Sequence, residues 1–130
     1  MANVTELDFK GKKILQTVFP KGSDIPSIVG VLAETKVLLG NYKAGTVLSV
    51  MVFDNIEVTD AFINLFEQVA KNNLSIVKAT AFVGFSAVQK GLFNAMISLS
   101  GIKAHLCDTV DAAKEWLAEA ADADDGLLGF

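Results

Sequence analysis

Lys78 to Leu117, KATAFVGFSAVQKGLFNAMISLSGIKAHLCDTVDAAKEWL, is the stretch on which the reading of the fold turns. Ser75 to Val83 reads as a strand, and Gly84 marks the turn that ends it. Phe85 to Ser100 then carries apolar residues at helical spacing, with Ser86 placed to cap its start and Gly101 to follow its end. Ile102 to Cys107 reads as the next strand. Asp108 or Thr109 caps a final helix with Val110, Ala113 and Leu117 inward and Trp116 on its flank. Strands alternating with helices imply parallel neighbours joined by right-handed crossovers.

The N-terminal half extends this pattern. Thr59 and Asp60 open a helix whose Phe62, Leu65, Phe66 and Val69 follow the i, i+3, i+4, i+7 rule, and Asn72-Asn73 ends it. Before it, Thr46 to Phe53 (TVLSVMVF) is apolar on both faces, as expected of an interior strand covered by helices. Ser23 or Asp24 caps an earlier helix that has Pro26 in its first turn. Its Ile28, Val31, Leu32, Leu38 and Leu39 recur at helical spacing up to Gly40-Asn41. Thr5 to Phe9 and Lys12 to Phe19 alternate polar and apolar residues around Gly11, the pattern of a hairpin. The order is therefore ββαβαβαβα: one α/β domain over residues 1–121, mostly parallel, with an N-terminal antiparallel hairpin. Residues 122–130 form an acidic and then apolar tail, expected to fray.

Composition narrows the class of function. The 130 residues carry a net charge of −4, and 52% are hydrophobic. Mean hydropathy is +0.44 and the isoelectric point is near 4.8. An acidic protein is a poor general binder of nucleic acid. Every basic side chain is a lysine, so the guanidinium fork that clamps phosphate or carboxylate is missing. One cysteine excludes an internal disulfide framework and suits a reducing compartment. The N-terminus lacks a signal-peptide core and no apolar run reaches the ~20 residues of a membrane span, so the expected location is cytoplasmic.

Between Gln68 and Cys107 there is no acidic residue, while Lys71, Lys78, Lys90, Lys103 and His105 all fall there. The apolar helix lies within this locally basic segment. At 100° per residue its large apolar side chains, Phe85, Val88, Leu92, Phe93, Met96, Ile97 and Leu99, sweep about half the circumference, wider than one sheet contact requires. Leu92 and Leu99 are expected to face the sheet. Phe93 and Ile97 are expected to point away, with Phe85 nearer the sheet contact. The surplus apolar surface would meet an apolar ligand, an anionic lipid surface or a second copy of the chain. The candidate binding residues are Phe85, Lys90, Leu92, Phe93, Met96 and Ile97, with Lys103 helping to orient a ligand.

Three pieces, VGFSAVQKGLFNAM (Val83 to Met96), SLSGIKAHLCDT and DTVDAAKEWL (Asp108 to Leu117), together with the element order, resemble the SpoIIAA-like family of the STAS class, which is also compared with CRAL-TRIO lipid-binding domains. The resemblance implies this α/β fold and a regulatory or lipid-binding role. The antagonists of the class carry a phosphorylated serine after an aspartate at the start of their second helix. Here Asp60 matches the aspartate, but Ala61 and Phe62 stand at the serine positions and Thr59 precedes it, so no inherited phospho-switch is expected.

An enzyme would place its groups at the carboxyl ends of the strands, where Asp54, Asn55, Ser86, His105, Cys107 and Asp108 fall. No nucleophile, dinucleotide or phosphate-loop motif joins them; Gly84-Phe85-Ser86-Ala87-Val88 fails G-x-S-x-G at its last position. His105, Cys107 and Lys103 alternate onto one strand face, and one histidine with one cysteine is too few for a structural zinc site. The expectation is a non-enzymatic binding module without catalytic residue, metal or cofactor. It would hold an apolar ligand or lipid and associate with a membrane surface through the helix at 85–100. The other reading is a protein-interaction module or homodimer using the same helix.

Overall fold

A two-residue turn, Lys10-Gly11, joins β1 (Val4–Phe9) to β2 (Lys12–Val18) with Phe9 paired to Lys12. Both turn residues have positive φ, 52° and 78°, the geometry whose twist matches a right-handed hairpin. The computed structural model describes residues 3–73, 75–100 and 103–122. Beyond the hairpin the elements are α1 (Ile25–Leu39), β3 (Val47–Val52), α2 (Asp60–Asn73), β4 (Val77–Val83), α3 (Ala87–Ser100), β5 (Ala104–Cys107) and α4 (Val110–Asp122). The order is the expected one. β4 begins two residues later than read, and the Ile102 and Gly101 assignments lie outside the described residues, as does the tail from 123 to 130.

Local chemistry sets the helix starts. Asp24 caps α1 by accepting from Ser27 N at 2.9 Å, Thr59 caps α2 through Phe62 N at 3.1 Å, and Thr109 caps α4 through Ala112 N at 3.1 Å. Ahead of α3, Ser86 and Gln89 bond each other's backbone N–H reciprocally, a capping box.

The five strands lie in the order β1-β2-β3-β4-β5, antiparallel across the hairpin and parallel thereafter. Right-handed crossovers that always advance in one direction put their helices on one face. α1, α2 and α3 accordingly cover one side, over a core of Phe19, Ile28, Leu32, Met51, Phe53, Phe62, Phe66, Phe82, Phe85, Phe93 and Met96. α4 alone covers the other, packing Ala113, Leu117 and Ala120 on Ile14, Leu48, Val50, Ala79, Ala81 and Val83. β3, buried from Val47 to Met51, is the central strand between them.

At the end of β4 the chain passes so close to β3 that only glycine fits. Gly84 has φ +108°, and a Cβ there would lie 1.9 Å from the Phe53 carbonyl oxygen. The close approach holds Phe53 within a cluster of rings, stacked on Phe19 and Phe85 at 4.7 Å from each.

Candidate functional site

The structure rotates α3 away from the expected orientation. Phe93 is fully buried, and Met96 and Phe85 are 3% and 8% exposed. Phe93 packs on Phe82 and Phe85 at 4.8 and 4.9 Å and on Phe62 and Phe66 at 5.9 and 6.0 Å. Ile97 is half-buried against the same cluster. Leu92, expected inward, is 54% exposed, Val88 of the same apolar arc is 77% exposed, and the side chain of Leu99, also expected inward, lies outside the described residues.

Two polar tethers explain the rotation. Gln89 donates through Nε2 to the Ile56 carbonyl at 3.0 Å, and Lys90 pairs with Asp108. At 100° per residue Gln89 and Lys90 stand roughly 40° and 60° to either side of Phe93. Anchoring both therefore aims Phe93 at the sheet, and turns Leu92, about 100° away, outward. Of the six candidate residues, Phe85, Phe93 and Met96 are core, Ile97 packs beside them, Lys90 is engaged and Leu92 alone stands clear.

The groups at the carboxyl ends of the strands disperse into structural roles. Ser86 caps α3, and His105 stacks on Trp116 with centroids 5.3 Å apart. Lys90 holds the Asp108 carboxyl below the usual carboxylate range. Cys107 is buried beneath α4; desolvation first and then the charge of Asp108 push its thiol up, against a smaller opposing effect of Lys90. A raised thiol is a poor nucleophile at neutral pH. Among the described residues no group of three or more His, Cys, Asp and Glu side chains could hold a metal, and no helix is long and apolar enough to cross a membrane. Lys103 immediately precedes β5 and is among the residues lining a cavity on the side of the sheet opposite Cys107.

That opposite side contains a cavity of about 60 Å³, beneath the seam of α1 and α2. Leu32 and Leu39 of α1 and Phe66 and Val69 of α2 form its walls; Met51, Phe82, Ser49 and Thr80 form its floor. Leu32, Val69 and Asn73 also line a groove of about 210 Å³ on the outer surface between the two helices, so these three residues form the wall between groove and cavity.

The buried polar side chains gather on this side of the sheet. Thr17, Thr35 and Ser49 are at most 4% exposed. Thr17 and Thr35 share a hydrogen bond of 3.3 Å that ties α1 to β2, and Thr35 also donates to the Val31 carbonyl at 3.0 Å. Ser49 Oγ has no partner. It occupies the middle of the most buried strand, flanked in register by Leu15 and Thr80. Sequence reading passed over Ser49 and Thr35, although a signal existed. Each is a polar residue at a position whose period is otherwise apolar: Ser49 within TVLSVMVF, and Thr35 between Leu32 and Leu39.

Comparison with known proteins finds no matching family profile, no matching curated protein and no matching solved structure.

Proposed function

We propose that the protein is a non-enzymatic binding module that holds a small apolar or amphiphilic ligand under the seam of α1 and α2. The observation that carries this reading is the seam itself. Under α2 and α3 the rings of Phe62, Phe66, Phe82, Phe85 and Phe93 interlock. Between α1 and α2 the same face stays unfilled down to the sheet. Native interiors hold few such voids, so a largely apolar one separated from a surface groove only by Leu32, Val69 and Asn73 marks a place for a ligand. Its lining carries no carboxylate, imidazole or thiol, so acid–base or nucleophilic chemistry lacks a pair of groups to run on.

Magnitudes set the ligand's size. Covering about 150 Å² of ligand surface at ~25 cal/mol per Å² contributes about 4 kcal/mol, only millimolar affinity. A ligand held more tightly must continue into the outer groove, which calls for a chain of roughly eight carbons or more. The test is titration with the fluorescent apolar probe anilinonaphthalene sulfonate. One saturable equivalent per chain is expected, lost in Ala70→Phe, which fills the cavity, and kept in Leu92→Asp. Non-saturable binding, or loss in Leu92→Asp alone, defeats the reading.

A second reading is favoured by a separate observation. Val88, Gly91, Leu92 and Ala95 form an exposed uncharged stripe on α3, suited to a second copy of the chain. Sedimentation equilibrium tests it: a dimer that Leu92→Asp converts to monomer supports this reading, and a monomeric wild type at millimolar concentration removes it.

A further inference from the structure

We infer that the ligand enters polar end first, and that it is a neutral amphiphile whose hydroxyl or carbonyl group bonds Ser49 Oγ while its hydrocarbon chain runs out between α1 and α2. This rests on the proposed cavity site and specifies what occupies it. A fully buried hydroxyl without a partner is rare, because leaving it unpaired forfeits the hydrogen bonds it made to water. Ser49 is 3% exposed, its oxygen is unpartnered, and it lies in the floor of the cavity. A purely apolar ligand would seal that oxygen in without relief. A polar group delivered to the floor satisfies it and is satisfied in turn.

The surroundings select a neutral group. Thr80, the residue paired with Ser49 across β3 and β4, also lines the floor, so two hydroxyl-bearing side chains stand side by side. The cationic residue in the lining, Lys103, belongs to the segment beyond β4, where its carbonyl accepts from Thr80 N at 3.0 Å. It is two strand spacings from Ser49, roughly 10 Å between backbones. An ionised head on Ser49 would be buried among Leu39, Met51 and Phe82, and the cationic residue of the lining stands two strands away, so its desolvation is strongly unfavourable. An alcohol or a carbonyl avoids that penalty and can both reach Ser49 and fit an apolar wall.

Octan-1-ol is the probe, added to the full chain in competition with anilinonaphthalene sulfonate and followed by nuclear Overhauser contacts. The carbinol methylene should contact the Ser49 and Thr80 side chains, and the terminal methyl should contact Val69 and Leu32. Ser49→Ala removes a hydroxyl that has no protein partner, so it should fold normally and weaken octan-1-ol binding about tenfold while leaving anilinonaphthalene sulfonate binding unchanged. Contacts from the terminal methyl to Ser49, or equal octan-1-ol affinity in wild type and Ser49→Ala, overturn the inference while the site itself stands. If the fluorescent probe does not bind at one saturable site, the cavity reading fails and this inference falls with it.

Discussion

Phe93→Asp and Leu92→Asp, one residue apart on α3, should behave in opposite ways. Phe93 has no exposed surface and touches four other rings. Truncating such a ring costs about 3–5 kcal/mol, and placing a carboxylate in the same space adds several kcal/mol more. The sum rivals the 5–15 kcal/mol that stabilises a whole domain of this kind. Leu92 is 54% exposed, so its loss forfeits about half of the ~1.5–3 kcal/mol available from full burial, with about 0.5 kcal/mol more for the poorer helix former. Phe93→Asp should therefore lack a cooperative urea transition in circular dichroism. Leu92→Asp should keep one, displaced downward by about 1 M at an m-value of 1–3 kcal/mol per M. A folded Phe93→Asp beside an unfolded Leu92→Asp would mean that α3 presents its other face to the sheet, and the rotation derived from Gln89 and Lys90 would be refuted.

Gly84→Ala should lose more than 4 kcal/mol by the same assay, because its Cβ would sit 1.9 Å from Phe53 O and 2.8 Å from Phe53 C, in backbone already at φ +108°; a loss below 1 kcal/mol would contradict the close approach of β3 and β4. Asp24→Ala removes the oxygen that accepts from Ser27 N and should lower stability by about 1 kcal/mol, whereas Asp24→Asn should lose only a few tenths. The Asp108 carboxyl, lowered by the Lys90 hydrogen bond and charge, should titrate in carbon-detected NMR below the ordinary value near ~3.9, and Lys90→Met should return it there. Because its folded value is depressed, the stabilisation from this pair is complete above the unfolded value and is lost as pH falls through the folded one; an unchanged Asp108 midpoint in Lys90→Met would break the assignment.

The order of elements was legible because each boundary has a local cause. Caps at Asp24, Thr59 and Thr109 and the turn at Lys10-Gly11 act within a few residues, and period-2 and period-3.6 patterns switch cleanly between them. The rotation of α3 was not legible. Leu92 and Phe93 are adjacent and both apolar, on a helix whose apolar arc is half a turn wide, so periodicity leaves two centres about 100° apart. Contacts with Ile56 and Asp108, 33 and 18 residues away, choose between them. The basic character of the segment around α3 dissolves in the same way: Lys71 meets Glu67 and Lys90 meets Asp108, acids lying just beyond its two ends. Gly84 announced a turn, but the Phe53 carbonyl that demands glycine is invisible in a linear pattern. A void has no pattern of its own, and Ser49 and Thr35 were its traces in the sequence.

The topology bears on why the proposed binding site falls at the α1–α2 seam. In open parallel sheets a ligand crevice forms at the carboxyl edge where successive crossovers diverge to opposite faces. Here the crossovers from β2 to β5 advance without reversal, so no such divergence opens between them. That edge is instead closed by Phe53 and Phe85 stacked at 4.7 Å, by Gly84 pressed on β3, and by the Lys90–Asp108 pair. With three helices side by side on one face, the remaining freedom lies in how they abut. α2 and α3 meet through large rings, whereas the floor of the seam beside α1 includes Ser49 and Thr80, side chains too short to fill it. Ligand exchange at the proposed site would part α1 from α2 across Leu32 and Val69, with the Thr17–Thr35 hydrogen bond holding α1 to the sheet as the seam opens. Thr35→Val, which keeps the shape and removes that tie, should accordingly speed both association and release of octan-1-ol more than it changes the affinity, and an altered affinity at unchanged rates would place the barrier elsewhere.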